Sequence, residues 1–264
     1  MINIIQADTP YNLWEKANRT FIEKPEITTL SGSQAYIHNL VYFIESYTPD
    51  NLRLDMVGYT LTKWKLLKNK YFDDFSYYNM INRTKYYLKK NGETTAIAMH
   101  FTGSKSKYEA KEDKDPKGGP CLLSLSLSLP KVKKNERLHP KVLIAGRSSE
   151  VTQKFFADLV FVYVILKTIG REFHFKPEDC SVMFAIHSTF QTLYHSMIYW
   201  MLHSEDNVEG YSIGTDKPWA NKLFKKQTQI KDGEKSSYAS VQRVINFLNN
   251  PDIKEIDTEE LTLF

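Results

Sequence analysis

At 264 residues, 42% apolar and 25% charged, the chain has the make-up of one large folded domain and not of a disordered segment. A formal net charge of +4 suits an anionic small ligand without demanding nucleic acid. The two cysteines, Cys121 and Cys180, build neither a disulfide framework nor a zinc site, and no run approaches the roughly 18 apolar residues of a membrane span. With an N-terminus lacking a basic region before an apolar stretch, these features predict a soluble, cytoplasmic protein.

In chain order, residues 10–24 read as an amphipathic helix, with Leu13, Trp14, Ala17, Phe21 and Ile22 at helical spacing behind Pro10 and Asn12. Residues 26–35 read as a short strand and turn. Residues 36–47, rich in apolar side chains, read as a second, mostly buried helix ended by Thr48-Pro49-Asp50. Residues 51–75 fit no single period; Trp64, Leu66 and Leu67 are core candidates among solvent-facing lysines. A third helix is predicted over 77–90, stopped by Asn91-Gly92, and a strand over 94–101. Residues 102–119 hold hardly an apolar side chain and read as an exposed loop, either a plain insertion or a lid beside Cys121.

The stretch from Pro120 to Asp158 is the most informative. Leu123, Leu125, Leu127 and Leu129 alternate with Ser124, Ser126 and Ser128, the period of a strand that begins at Cys121. A second strand over 142–145 ends at Arg147. A thiol and a guanidinium at the ends of neighbouring strands suggest a nucleophile beside a cation that favours its thiolate. Residues 152–169 are apolar nearly all round and predict a central buried helix, within which Asp158 needs a partner or a pocket. A turn at 176–179, a strand over 180–186 and a helix over 187–203 come next. Residues 204–235 read as a polar loop and 241–248 as a short helix broken by Asn250-Pro251. No repeat or linker divides the chain, so residues 1–264 form one α/β domain.

Each candidate has a plainer alternative. Cys121 also fits a small buried hydrophobe, and Asp158 a carboxylate paired with a lysine; Arg147 with the hydroxyls of Ser148 and Ser149 suits a phosphate, and Arg147 equally a surface salt bridge. The seven histidines show no metal spacing, and neither a Gly-rich phosphate loop nor a serine nucleophile elbow is present, so no metal is expected.

Taken together, Pro120-Cys121, Arg147-Ser148-Ser149-Glu150 and Phe156-Ala157-Asp158 resemble the signature of thymidylate synthases and the related cytidylate hydroxymethylases. The Arg-to-Asp interval of eleven positions matches that pattern. Lys176-Pro177-Glu178-Asp179 with Ile186-His187-Ser188-Thr189-Phe190, and His38-Asn39-Leu40-Val41-Tyr42-Phe43, resemble further family motifs, the latter the end of a helix. The resemblance implies a large mixed twisted sheet flanked by helices, stacked sheet to sheet in a homodimer. It implies a one-carbon transfer to C5 of a pyrimidine nucleotide, with 5,10-methylenetetrahydrofolate as donor and a place in nucleotide biosynthesis. Cys121 would add to C6. Arg147 and Ser148 would bind the phosphate, His187 would lie near the sugar hydroxyl, and Glu150 would contact the cofactor. Asp158, where the uracil-specific enzymes have Asn, implies cytosine, giving a cytidylate (CMP or dCMP) hydroxymethylase-like enzyme. Two departures stand against this. Asn39 replaces the catalytic Glu, and Thr95 and Ala96 replace an Arg pair that binds phosphate. They keep open a second expectation, a pyrimidine-binding or scaffold protein without turnover.

Overall fold

The structure is a computed structural model, and it describes residues 2–23, 29–31, 34–101, 120–132, 138–203, 232–250, 252 and 256–264. The strands are β1 (Asn3–Ala7), β2 (Thr29–Ser31), β3 (Gln34–Ile44), β4 (Ile97–His100), β5 (Leu122–Ser128), β6 (Lys141–Glu150) and β7 (Ser181–Thr192). They form one mixed sheet in the order β1-β3-β7-β6-β5-β4, with β2 paired to β3 off that path. β1 runs parallel to β3 and β6 parallel to β7; the other pairs are antiparallel. The helices are α1 (Pro10–Glu23), α2 (Leu61–Tyr71), α3 (Asp74–Asn91), α4 (Lys154–Phe173), α5 (Leu193–His203) and α6 (Asp232–Asn249). The expected class, α/β with a large mixed sheet flanked by helices, is what the chain forms. None of the described helices is long and apolar enough to cross a membrane.

The core lies between the sheet and α4. Every residue from Phe155 to Leu166 is buried, so a helix apolar on all sides is covered on all sides. Leu125 and Leu127 of β5 face it, registered with Ile144 and Val142 of β6. Helix α1 closes one end: the Trp14 indole donates to the Thr152 carbonyl at 2.8 Å, and Asn18, Thr152 and Gln191 satisfy one another in a buried polar cluster.

The largest correction concerns residues 36–47, expected as a helix. They form most of β3, an inner strand registered with β7 from Gln34↔Thr192 to Ile44↔Val182. An apolar run rich in aromatic and β-branched residues carries no clear period, and its strand identity comes from the partners on both sides. β7 likewise runs on to Thr192, so His187 to Thr192, expected in a helix, lie in the sheet. β6 continues through Glu150, placing Arg147 and Ser148 within a strand and not after one. The expected exposed loop over 102–119 lies outside the described residues, as does 204–231 of the other expected loop; residues 232–235 belong to α6.

One row of irregularity crosses the sheet and matters for the site. In β6, Val142, Ile144 and Gly146 are buried, and then Ser149; in β7, Val182, Phe184 and Ile186, and then Thr189 and Gln191. In β3 the buried positions are Ile37, then Leu40, Tyr42 and Ile44; in β5 they are Leu122, then Leu125 and Leu127. Each strand changes face near the row Asn39, His187, Arg147 and Leu123. β5 shows a register shift there, and Asn39 is left-handed at φ 52°. An extra residue per strand, as in a β-bulge, produces this switch, and pairing keeps step because neighbours switch together. Beyond the row, Ser149 faces α4.

Candidate active site: a cysteine cavity with a lysine wall

Cys121 precedes β5 and lines a cavity of about 240 Å³ together with Tyr59, Lys63, Leu66, Leu67, Lys70, Tyr71 and Lys154. Helix α2 supplies most of this wall. It is launched by Thr60, whose side chain accepts from the Lys63 amide at 3.2 Å. Tyr71, at its last turn, packs edge-on against Phe161 of α4 at 5.2 Å between centroids, which holds its hydroxyl against Asp158 and Cys121. Burial, then the neighbouring Asp158 and Cys121, raise the Tyr71 phenol far above its ordinary value, so it stays protonated. Burial raises Tyr59 as well.

Asp158 is fully buried behind Tyr71. Its Oδ2 accepts from Ser149 Oγ at 3.0 Å, and its Oδ1 has no hydrogen-bond partner. Burial raises its pKa from 3.8 to about 7, against the opposing pull of Ser149, Tyr71, Lys154 and Lys70. The cavity's charged lining residues are all lysines, Lys63, Lys70 and Lys154, which suits an anionic ligand.

The other expected site residues are placed differently. Arg147 meets Cys121 through the backbone, its N–H donating to the Cys121 carbonyl at 2.7 Å, but its side chain is exposed and does not line the cavity. Ser148 is half-buried on β6, and it is Ser149 that bonds Asp158. His187 is exposed on β7, its ring 6.4 Å from that of His38. Asn39 is exposed on β3, and the Ala96 N–H is taken by Ser128 Oγ at 2.9 Å.

Glu150, expected to contact the cofactor, is 1% exposed and committed elsewhere. Its carboxylate accepts from the amides of Thr152, Gln153 and Lys154, at 3.0, 2.8 and 3.3 Å, and lies 3.1 Å from His195 Nδ1. Burial pushes its pKa up, but His195 and the amides of Gln153 and Thr152 outweigh that and hold it below the usual carboxylate value. It caps α4. Among the described residues no group of three His, Cys, Asp or Glu side chains could hold a metal ion.

The site residues that the sequence did not single out are Tyr59, Lys63, Lys70, Tyr71 and Lys154, while Ser149 was singled out for a phosphate and bonds Asp158 instead. Four lie in the stretch that fits no single period, and lysines there look like a solvated surface.

No known family profile matches the chain, and no curated protein does. Among solved structures, the chain is similar to a thermostable thymidylate synthase A from Bacillus subtilis. The identity is 9%, the match covers 72% of this chain and 84% of that one, and the TM-score is 0.42. A likeness this loose leaves the activity to the residues of the site.

Proposed function

We propose that the protein acts on a pyrimidine nucleotide, a cytidylate, through covalent addition of Cys121. The observation that carries this reading is a cysteine at the wall of a lysine-lined cavity, with Tyr71 between it and a buried carboxyl whose Oδ1 is unpartnered. A cytosine ring offers an amino donor and the N3 acceptor on one edge. Asp158 does not line the cavity, so with Tyr71 turned aside a carboxyl that titrates near neutrality would both accept from the amino group and share a proton with N3. The thiolate pair forms an S–C6 bond and the C5–C6 π pair moves to C5, which takes a proton from water. Loss of the original C5 hydrogen, with return of the S–C6 pair to sulfur, restores the ring with its C5 hydrogen exchanged. The resemblance supports a one-carbon transferase, cytidylate hydroxymethylase-like, built on this addition. Its donor would be 5,10-methylenetetrahydrofolate. The residue implied for that cofactor, Glu150, does not fit the part, since its carboxylate is spent on α4 and His195. The addition and exchange need no folate.

The test is tritium release from C5-labelled CMP and dCMP, with UMP and dUMP as comparators. Release from the cytidylates that disappears in Cys121→Ser is the expected result; no release from any of the four sinks the enzyme reading. Asn39, exposed and outside the cavity, favours a second reading in which a pyrimidine nucleotide binds without turnover. Saturable CMP binding without tritium release would select it.

We also propose a homodimer through the open sheet face. Ile4, Leu123, Leu143 and Met183 are exposed there at 70%, 46%, 38% and 38%, an apolar set that a second copy would cover.

A further inference from the structure

We infer that the cavity ends in a phosphate-binding pole made by Lys63 of α2, Lys154 of α4 and Arg243 of α6, so that its ligand is a phosphorylated nucleoside and not a free one. The inference rests on the cytidylate reading for the identity of the base and on nothing in that reading for the anion.

Three elements converge at this pole. Lys63 and Lys154 both line the cavity. Lys63 Nζ donates to Ser240 Oγ of α6 at 2.9 Å, which ties the cavity wall to that helix. Gly58 draws α6 close: a Cβ there would stand 2.3 Å from the Ser240 carbonyl oxygen. Arg243 comes one helical turn after Ser240, on the same face. Its Nη1 is buried and has no hydrogen-bond partner among the described residues. Among the described residues no carboxylate comes within ion-pair distance of Lys63, Lys154 or Arg243. Burial and then the charges of Arg243 and Lys154 lower the Lys63 pKa, as expected where cations crowd without a counter-charge.

Three cations with no carboxylate in ion-pair contact among the described residues, one with a buried donor left open, oppose folding unless an anion joins them. A tetrahedral phosphate brings several acceptor oxygens and about two negative charges near neutral pH.

The experiment measures binding of CMP, cytidine and inorganic phosphate to the full chain, by calorimetry and thermal shift. The variants are Lys63→Gln, Lys154→Gln, Arg243→Gln and Arg147→Gln. CMP should bind at least about tenfold more tightly than cytidine, as a set of charged hydrogen bonds requires. Each of the first three variants should lower CMP affinity about tenfold and leave cytidine affinity unchanged. Arg147→Gln should leave both unchanged. Thermal stability without ligand should hold or rise in Lys63→Gln and Arg243→Gln, which separates a lost anion site from a damaged fold. Cytidine binding as tightly as CMP, or Lys63→Gln and Arg243→Gln both holding CMP within about twofold of the parent, overturns the inference. Should C5 exchange fail while inorganic phosphate still stabilises the parent and not these variants, the anion pole stands and the cytidylate reading falls.

Discussion

Asp158 is the residue on which the site turns, and its titration is measurable apart from any activity. Its folded-state pKa is about 7 and its ordinary value 3.8. Between these values the folded protein binds a proton that the unfolded chain has released. The stability contributed by the protonated carboxyl is therefore fully present below about pH 4 and is lost as pH rises through about 7. A shift of this size corresponds to on the order of 4 kcal/mol. Asp158→Asn should remove that slope. Urea titrations across this range should show the difference between Asn variant and parent growing in favour of the variant up to about pH 7 and then levelling off. A difference that does not change with pH would show that the carboxyl does not titrate in the fold. Asp158 was legible as a problem, since an acid inside an apolar helix asks for a reason. Its partner was not, because Ser149 reaches it only after β6 has changed face.

At the scale of elements, the junction between β6 and α4 depends on Glu150. Its carboxylate holds three amides at the start of a helix whose next twelve residues, Phe155 to Leu166, are all buried. Glu150→Ala removes the cap and leaves buried donors unpaired, for an expected loss of about 2–4 kcal/mol in urea unfolding; Glu150→Gln, which keeps an acceptor, should lose less. Gly58 has a comparable role between the cavity wall and α6. It is left-handed at φ 67° and its Cα faces the Ser240 carbonyl. Gly58→Ala adds both backbone strain and overlap, with an expected cost of about 2–4 kcal/mol. Because the displaced helix carries Arg243, CMP affinity should fall in the same variant, and unaltered stability would show that α6 is not seated on this glycine. Helices α1, α3 and α4 and strand β5 were legible from periodicity, because one face of each is covered and the other is not, or, for α4, because none is exposed. β3 was not legible: its alternation is blurred by a face switch at Asn39 and by partners on both sides.

For the whole molecule, the open sheet face is the feature that a single chain leaves unexplained. A second copy on it predicts sedimentation at twice the 30.8 kDa chain mass. Leu143→Lys or Met183→Lys should return the protein to a monomer with its fold intact, since both side chains are already part-exposed. A parent protein that sediments as a monomer would remove the sheet face as an interface. By itself the sequence determined the α/β class, the central buried helix, the strand opened by Cys121 and the presence of a carboxyl that has to be accounted for. These come from local period and from the cost of burying charge, which neighbouring residues express. Only the tertiary structure decided which side chains meet Cys121. The face switch that delivers Ser149 to Asp158, the turn of α2 that brings Tyr71 and the lysines, and the approach of α6 with Arg243 are set by contacts between distant segments. A linear reading therefore chose Arg147 as the partner of the thiol, where the fold put a wall of lysines.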